Sequence, residues 1–292
     1  MKQYNYFPGC TLKTTGTELE RSALKVSEKL GFQLVELPKW YCCGTMVALS
    51  SDNKMHSLGA VRTLIRVQET GDNRVVSLCS ICYNTLKQIN NRFNEDPDFK
   101  SAVVQFMDEE TEYKGEVESL HYLQVLRDEI GFDKVKSAVV RPLEDLKIAP
   151  YYGCLLLRPK EMSIDENYEN PSVLENLIES LGATPVDFAY KNECCGAYET
   201  VHNPEQVASM TYNIVEGARK AGADAIITSC PLCHFNLDNR QILVQQTYPN
   251  FQNMPILFFS QLMELALFDE KPVWEKHKIS PDPIIDRFFQ KE

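Results

Sequence analysis

One pattern of five cysteines, used twice, constrains this chain more than any other feature of its sequence. The first set is spaced Cys-x31-Cys-Cys-x35-Cys-x2-Cys and consists of Cys10, Cys42, Cys43, Cys79 and Cys82. The second set is spaced Cys-x39-Cys-Cys-x34-Cys-x2-Cys and consists of Cys154, Cys194, Cys195, Cys230 and Cys233. Together the two sets account for all ten cysteines. The sequence therefore predicts an internal duplication in which each half builds one cysteine site.

Residues beside the cysteines repeat as well. Three pairs of segments match each other: 9–10 and 153–154, 42–44 and 194–196, and 119–123 and 259–262. We place the boundary between the repeats near Lys147, so that the first repeat covers residues 1–147 and the second covers residues 148–292.

Within each repeat, short apolar runs alternate with segments of helical periodicity. The predicted strands are Gln3–Pro8, Gln33–Leu37, Arg74–Leu78, Leu146–Tyr152, Pro185–Ala189 and Ala225–Thr228. The predicted helices are Glu18–Leu30, Leu58–Glu69, Asn84–Arg92, Pro171–Leu181, Gln206–Lys220 and Leu237–Gln246. This alternation predicts an α/β fold, with two tandem homologous repeats and mostly parallel sheets. The cysteines then lie at the carboxyl ends of the strands, where such sheets gather their ligands.

Composition narrows the class of protein. The net charge of −11 argues against a surface for nucleic acid or an anionic membrane, because both require a basic face. The N-terminus lacks the apolar segment of a secretory signal, and no run approaches the roughly 20 apolar residues of a membrane span. We therefore expect a cytoplasmic protein without direct membrane insertion. No Gly-x-Gly-x-x-Gly or Walker A sequence is present, so no flavin or nucleotide site is expected.

The number of thiols indicates what each site binds. Side chains of adjacent cysteines diverge, so the Cys-Cys pair suits two metals of one cluster better than one ion. Five thiolates also exceed the four ligands of structural zinc or of an ordinary cubane. This favours a multi-iron cluster in each half. Two alternatives stay open: zinc sites with one idle cysteine each (or zinc at the N-terminal site alone), and two disulfides per half with one free thiol.

These motifs, together with Ala221-Gly222-Ala223-Asp224 and Cys230-Pro231-Leu232-Cys233-His234-Phe235, resemble the duplicated Cys-Cys-Gly domain family. The twice-repeated form is similar to the B subunit of heterodisulfide reductases over essentially the whole chain. The resemblance implies that each five-cysteine set binds a noncubane 4Fe–4S cluster. It also implies an oxidoreductase that cleaves the mixed disulfide of coenzyme M and coenzyme B to two thiols, with the disulfide held between the clusters.

The resemblance further implies a complex. The chain lacks the Cys-x2-Cys-x2-Cys-x3-Cys run of a ferredoxin-type cubane, so electrons must arrive from outside. The implied partners are a ferredoxin-like C subunit with cubane 4Fe–4S clusters and a flavin-containing A subunit. A hydrogenase, a formate dehydrogenase or a methylene-tetrahydrofolate enzyme is a further candidate partner. Two rival functions remain: a non-catalytic electron relay and a zinc-bound structural scaffold.

Three further residues are candidates for the site. His234 follows Cys233 directly and is a candidate proton donor to a product thiolate. Lys13 and Arg158 follow the first cysteine of each half by three and four residues, and are candidates for attracting an anionic substrate group. The alternative interpretation makes the histidine a residue that orients its loop, and the two cations ordinary solvated surface.

Overall fold

A computed structural model describes residues 1–45, 47 and 53–289. It contains two four-stranded sheets in which every strand pair is parallel. The first sheet has the order β2-β1-β3-β4, with β1 at Lys2–Tyr6, β2 at Phe32–Glu36, β3 at Arg74–Ser77 and β4 at Glu118–His121. The second has the order β6-β5-β7-β8, with β5 at Lys147–Tyr151, β6 at Thr184–Pro185, β7 at Ala225–Thr228 and β8 at Ile256–Phe258. The two orders are equivalent, as a duplication requires.

Helices follow the strands in both halves. In the first half they are α1 (Gly9–Leu12), α2 (Thr17–Lys29), α3 (Leu58–Glu69), α4 (Ser80–Glu95), α5 (Pro97–Phe106), α6 (Tyr122–Gln124) and α7 (Phe132–Ser137). In the second half they are α8 (Val173–Ser180), α9 (Pro204–Lys220), α10 (Pro231–Asn239), α11 (Gln241–Thr247), α12 (Phe259–Leu267) and α13 (Asp282–Ile285). Short 3₁₀ turns cover Lys54–Ser57, Lys160–Met162 and Asp286–Phe288, and a π-helical turn covers Val125–Ile130.

The α/β prediction is confirmed, and the central strands explain why. Val75 and Val76 of β3, and Ile226 and Ile227 of β7, are fully buried. Strands covered by helices on both faces read as continuous apolar runs. The predicted strands at Arg74–Leu78 and Ala225–Thr228 have this character, and they became the inner strands that lead to the Cys-x2-Cys turns.

The fourth strand of each sheet was not predicted. β4 and β8 have four and three residues, too few to show a period of two. Each of these strands ends at the N-cap residue of a short helix. The side-chain oxygen of Gln124 accepts a hydrogen bond from the backbone N–H of His121 at 2.9 Å. The side-chain oxygen of Gln261 accepts one from Phe258 at the same distance. β6, at Thr184–Pro185, is shorter than the predicted Pro185–Ala189, and one further backbone hydrogen bond, from Val186 to the Ile148 carbonyl, follows it at 2.8 Å. The predicted helix Leu237–Gln246 is two helices that meet at Arg240.

The two halves share one hydrophobic core. Helix α12 of the second half packs on α2 of the first, where the Ser22 and Ser260 hydroxyls are 2.6 Å apart. Arg21 donates two hydrogen bonds, of 3.1 and 2.9 Å, to the buried carboxylate of Glu264, and Lys25 adds a third of 3.1 Å. Helices of the two halves thus pack against each other. The boundary near Lys147 remains a prediction.

Arg21→Met is expected to lower the free energy of unfolding by about 1–3 kcal/mol, because the buried Glu264 carboxylate loses two charged hydrogen bonds. Urea denaturation of the variant against the parent chain measures the effect. Arg219→Met is the matched control, since Arg219 pairs with Glu216 on the surface of a single helix and contributes little. Equal effects of the two substitutions would contradict a role for Arg21 in joining the halves.

Candidate metal centre

Each cysteine group follows the carboxyl end of a parallel strand. Cys79 and Cys230 come two residues after β3 and β7, and each is the N-cap of the helix that carries the last cysteine of its set. Cys10 and Cys154 follow β1 and β5 by four and three residues. The Cys-Cys pairs lie in the loops after β2 and β6. The predicted position of the cysteines at the strand ends is confirmed.

In the first half, the two adjacent cysteines face different partners. The Cys42 sulfur lies 3.8 Å from the Cys10 sulfur, and the Cys43 sulfur lies 3.7 Å from the Cys82 sulfur. Cys79 is the N-cap of the helix that carries Cys82, three residues before it. The structure therefore pairs four sulfurs of this set and places the fifth cysteine on the loop beside them.

The second half repeats the same pairing. The Cys194 sulfur lies 4.0 Å from the Cys154 sulfur, and the Cys195 sulfur lies 3.4 Å from the Cys233 sulfur. Cys230 interacts with Cys233. The corresponding cysteines thus face the same partners in both halves, although the spacing between the first cysteine and the pair differs by eight residues (31 against 39).

The two sites touch at their Cys-x2-Cys loops. Cys79 and Cys230, one from each site, are both buried, and each raises or lowers the pKa of the other. Beside them the hydroxyls of Ser80 and Ser229 form a buried hydrogen bond of 2.8 Å. The inner edges of both sites are therefore buried against each other, whereas Cys10 and Cys42 are exposed at the outer edge of the first.

Two glycines make room for sulfur. Gly9 has φ +71°, and a Cβ atom on it would lie 2.7 Å from the Cys82 sulfur. Its repeat mate Gly153 has φ +65°, and a Cβ atom there would lie 3.2 Å from the Cys233 sulfur. Glycine is required at these positions both for the left-handed backbone and for the close approach of the thiol.

Hydrogen bonds favour the thiolate form at selected cysteines. The pKa of Cys194 is lowered to about 5, chiefly by the Cys154 thiol and, against burial, by the Gly196 amide and the Tyr198 hydroxyl. Bonds from Cys42 and Cys82 hold the pKa of Cys43 well below its ordinary value. The pKa of Cys230 is lowered likewise, first by Cys233 and then by Cys79. The pKa values of the cysteines that give these hydrogen bonds are raised in turn, which applies to Cys42, Cys79, Cys82, Cys154 and Cys233. One sulfur of each hydrogen-bonded group therefore carries the negative charge most readily.

The sulfur spacing fits metal coordination. Two sulfurs bound at about 2.3 Å to one tetrahedral metal lie about 3.8 Å apart, close to the measured 3.4–4.0 Å. None of the ten cysteines forms a disulfide. In the described residues, no three Cys, His, Asp or Glu side chains converge closely enough to hold a single metal ion. The donor set fits an iron–sulfur group spread over several sulfurs, whereas zinc, which needs four ligands around one ion, matches only the spacing within each sulfur pair.

His234 lies on α10, buried beside the second site. Its Nε2 donates to the Ile256 carbonyl at 3.0 Å, and its ring stacks on Phe258 at 4.2 Å and meets His277 edge-on at 4.5 Å. Burial, with His277 nearby, holds the pKa of His234 well below its ordinary range. The ring is therefore neutral with Nε2 protonated, and its role as a proton donor stays a prediction.

The two candidate cations lie in different surroundings. Lys13 pairs with Glu20 at 2.7 Å and with Glu36 at 2.6 Å, so two carboxylates neutralise its charge. Arg158 is exposed, and its backbone carbonyl accepts a hydrogen bond from Asn84. Attraction of an anionic substrate is therefore better supported by the position of Arg158 than by that of Lys13.

Sequence reasoning missed the residues that surround the sulfurs. Asn84 donates at 2.8 Å to the carbonyls of Leu155 and Arg158. Tyr83, which the sequence pairs with His234 as its repeat mate, donates at 2.7 Å to the Met162 carbonyl. The longer spacing in the second repeat thus supplies a loop that clamps the cysteine-bearing helix of the first. Asn236 and Tyr198, which reach sulfurs of the second site, were also missed, although they follow Cys233 and Cys194 by three and four residues.

Gly9→Ala is expected to remove metal from the first site, because the new methyl group displaces the Cys82 sulfur. Metal analysis of anaerobically purified protein should then find about half the metal of the parent chain, given two equivalent sites. Gly71→Ala is the matched control: Gly71 has φ +82°, and no atom lies within 4 Å of the place its new methyl group would take. The Gly71→Ala variant carries the same backbone strain as Gly9→Ala and should keep its metal. Full metal content in Gly9→Ala would contradict the assignment of Cys82.

Among the described residues, no helix combines the length and the apolar character needed to cross a membrane.

A crystal structure of a hypothetical protein from Helicobacter pylori superposes with a TM-score of 0.70 at 14% identity. It covers 92% of this chain and 50% of that one, and it supports the fold alone.

The sequence comparisons identify the family. The cysteine-rich domain CCG matches twice, over residues 4–87 and 148–238. The B subunit of the ferredoxin/F(420)H(2)-dependent CoB-CoM heterodisulfide reductase of Methanosarcina acetivorans is 32% identical, covering 91% of this chain and 90% of that protein. The 8-methylmenaquinol:fumarate reductase membrane anchor subunit of Wolinella succinogenes is 31% identical, with 91% and 92% covered. The chain therefore belongs to the family of duplicated cysteine-rich domain proteins that includes the B subunit of heterodisulfide reductases.

Proposed function

We propose that the chain is the disulfide-reducing subunit of a larger electron-transfer complex and carries two noncubane 4Fe–4S clusters. One cluster is held by Cys10, Cys42, Cys43, Cys79 and Cys82, and the other by Cys154, Cys194, Cys195, Cys230 and Cys233. The relatives named as B subunits of CoB-CoM heterodisulfide reductases support this reaction class, with a mixed disulfide as the substrate.

The observation that carries the proposal is the identical sulfur pairing in the two halves. In each half the first cysteine of the Cys-Cys pair faces the cysteine near the start of the repeat, and the second faces the last cysteine. Adjacent cysteines that serve different partners spread the five sulfurs over more than one metal. A single zinc ion would use four ligands at most and leave one sulfur idle in each half.

The contact between the sites suits the stoichiometry of disulfide reduction. When bound, the two clusters would supply one electron each. The S–S bond breaks, two electrons and two protons are taken up, and two thiols form. The hydrogen bond between Ser80 and Ser229 holds the two Cys-x2-Cys loops side by side, so neither electron has to cross a wide gap. Two separate domains joined by a flexible linker would not provide this geometry.

The chain's own residues have defined tasks in this scheme. The exposed Cys10 and Cys42, with the half-buried Cys154 and Cys194, place sulfur ligands within reach of a molecule from solvent. Arg158, four residues after Cys154, offers an exposed positive charge to an anionic substrate group. Because the Nε2 proton of His234 is committed to the Ile256 carbonyl and burial keeps the ring neutral, His234 fits a residue that orients its loop better than a proton donor.

Electrons come from partner subunits. The relatives are subunits of multi-subunit reductases, as their names state. We propose a ferredoxin-like C subunit with cubane clusters as the direct donor, with a flavin-containing A subunit behind it. A donor that passes one electron at a time supplies the two electrons of disulfide reduction in two steps.

A non-catalytic relay is the second candidate function. The Wolinella succinogenes relative is named as an anchor subunit of a quinol:fumarate reductase, a reaction without a disulfide. In this case the same clusters pass electrons onward and no substrate binds between them.

The test is an anaerobic iron and zinc assay, combined with EPR spectra before and after oxidation in the presence of a thiol. We expect about eight irons per chain, since each 4Fe–4S cluster holds four, and a paramagnetic signal that depends on the thiol. Consumption of the coenzyme M–coenzyme B disulfide with a reduced viologen as electron donor is the activity readout. A chain with alanine at both Cys43 and Cys195 is the matched control, and it should lose iron and turnover together.

The outcomes separate the candidates. Full iron with no thiol response and no disulfide consumption would favour the relay and reject catalysis. One or two zinc ions with no iron would reject both redox functions and leave the zinc scaffold.

A further inference from the structure

Two side chains donate hydrogen bonds to sulfur in the second site. The Tyr198 hydroxyl lies 3.7 Å from the Cys194 sulfur, and the Asn236 side-chain nitrogen lies 3.8 Å from the Cys195 sulfur. A metal-bound thiolate has no proton to give. Both contacts therefore run from the side chain to the sulfur.

The orientation of Asn236 is determined by its surroundings. The side chain is fully buried, and its nitrogen also donates to the Cys195 carbonyl at 2.9 Å. Turning the amide over would place its oxygen against that carbonyl oxygen, which is repulsive. The Asn236 oxygen has no hydrogen-bond partner in the described part of the chain. The amide is thus held at the sulfur even though its oxygen stays unsatisfied, which is unfavourable for a buried polar atom.

The first site has different side chains around its sulfurs. The Thr11 hydroxyl lies 3.8 Å from the Cys10 sulfur, whereas the matching position after Cys154 is Leu155. Thr85 stands three residues after Cys82, as Asn236 does after Cys233. It lies near the Cys43 sulfur, but its one hydroxyl proton is donated to the Thr45 carbonyl at 2.5 Å. The counterpart of Tyr198, four residues after Cys42, is Met46, which lies outside the described residues. A thioether carries no hydrogen-bond donor.

We propose that Tyr198 and Asn236 are positioning residues that raise the reduction potential of the second cluster, independently of the first. Hydrogen bonds to cluster sulfurs stabilise the additional negative charge of the reduced state, and they are one of the main determinants of cluster potential. The inference rests on the proposed iron–sulfur function. It adds that the duplication has produced two sites with similar ligands and different electronic surroundings.

The test is a potentiometric titration of the intact chain followed by EPR. Tyr198→Phe removes one hydroxyl at an exposed position, so it should fold normally. We expect one of the two reduction waves to shift to lower potential while the other stays in place. Asn236→Thr, which copies the first site, should shift the same wave. In heavy water, the coupling of an exchangeable deuteron to the cluster should weaken in Tyr198→Phe.

Tyr190→Phe is the matched control, because Tyr190 is a similarly exposed tyrosine four residues before Cys194. It should move neither wave. Unchanged potentials in Tyr198→Phe and Asn236→Thr at full iron content would overturn this inference and leave the proposed function intact. A shifted wave in a chain that reduces no disulfide would support the inference and reject catalysis. A parent chain without iron would overturn both.

Discussion

The packing of the two Cys-x2-Cys loops against each other is the constraint on which the rest of the structure depends. The Ser80 and Ser229 hydroxyls lie 2.8 Å apart there, away from water, between the buried Cys79 and Cys230. Buried polar groups must be paired, so this hydrogen bond exists only while the halves are packed. Since each loop ends a central strand and begins a helix, moving one half would displace its sulfurs as well.

The duplication is close to symmetric in its ligands and asymmetric in the residues around them. The extra residues between Cys154 and Cys194 become a loop that receives the hydrogen bonds of Tyr83 and Asn84 from the other half. The spacing after Cys10 is shorter by eight residues, so the first repeat has less chain from which to build a matching clamp. Asymmetry of this kind lets two copies of one motif take different roles at a shared site, because each copy's environment is built partly by the other.

Much of the fold followed from local pattern. Fully apolar runs such as Val75–Val76 and Ile226–Ile227 indicated buried parallel strands, and the cysteines after them were placed at the strand ends. The fourth strands were missed because β4 and β8 are too short to carry a periodic signal. The candidate site was predicted as a set of ligands. The surroundings of Lys13, which two glutamates neutralise, were not visible from its position after Cys10.

The sequence by itself determined the family, the duplication, the α/β class and the two five-cysteine sets, because repeated spacing and apolar periodicity are local properties of the chain. Tertiary structure alone decided which sulfur faces which, that Ser80 pairs with Ser229, and that Arg21 pairs with Glu264 across the halves. It also decided that Asn236 points its amide nitrogen at Cys195. These contacts join residues far apart in the chain, and their geometry depends on how whole helices and sheets pack, which no local pattern encodes.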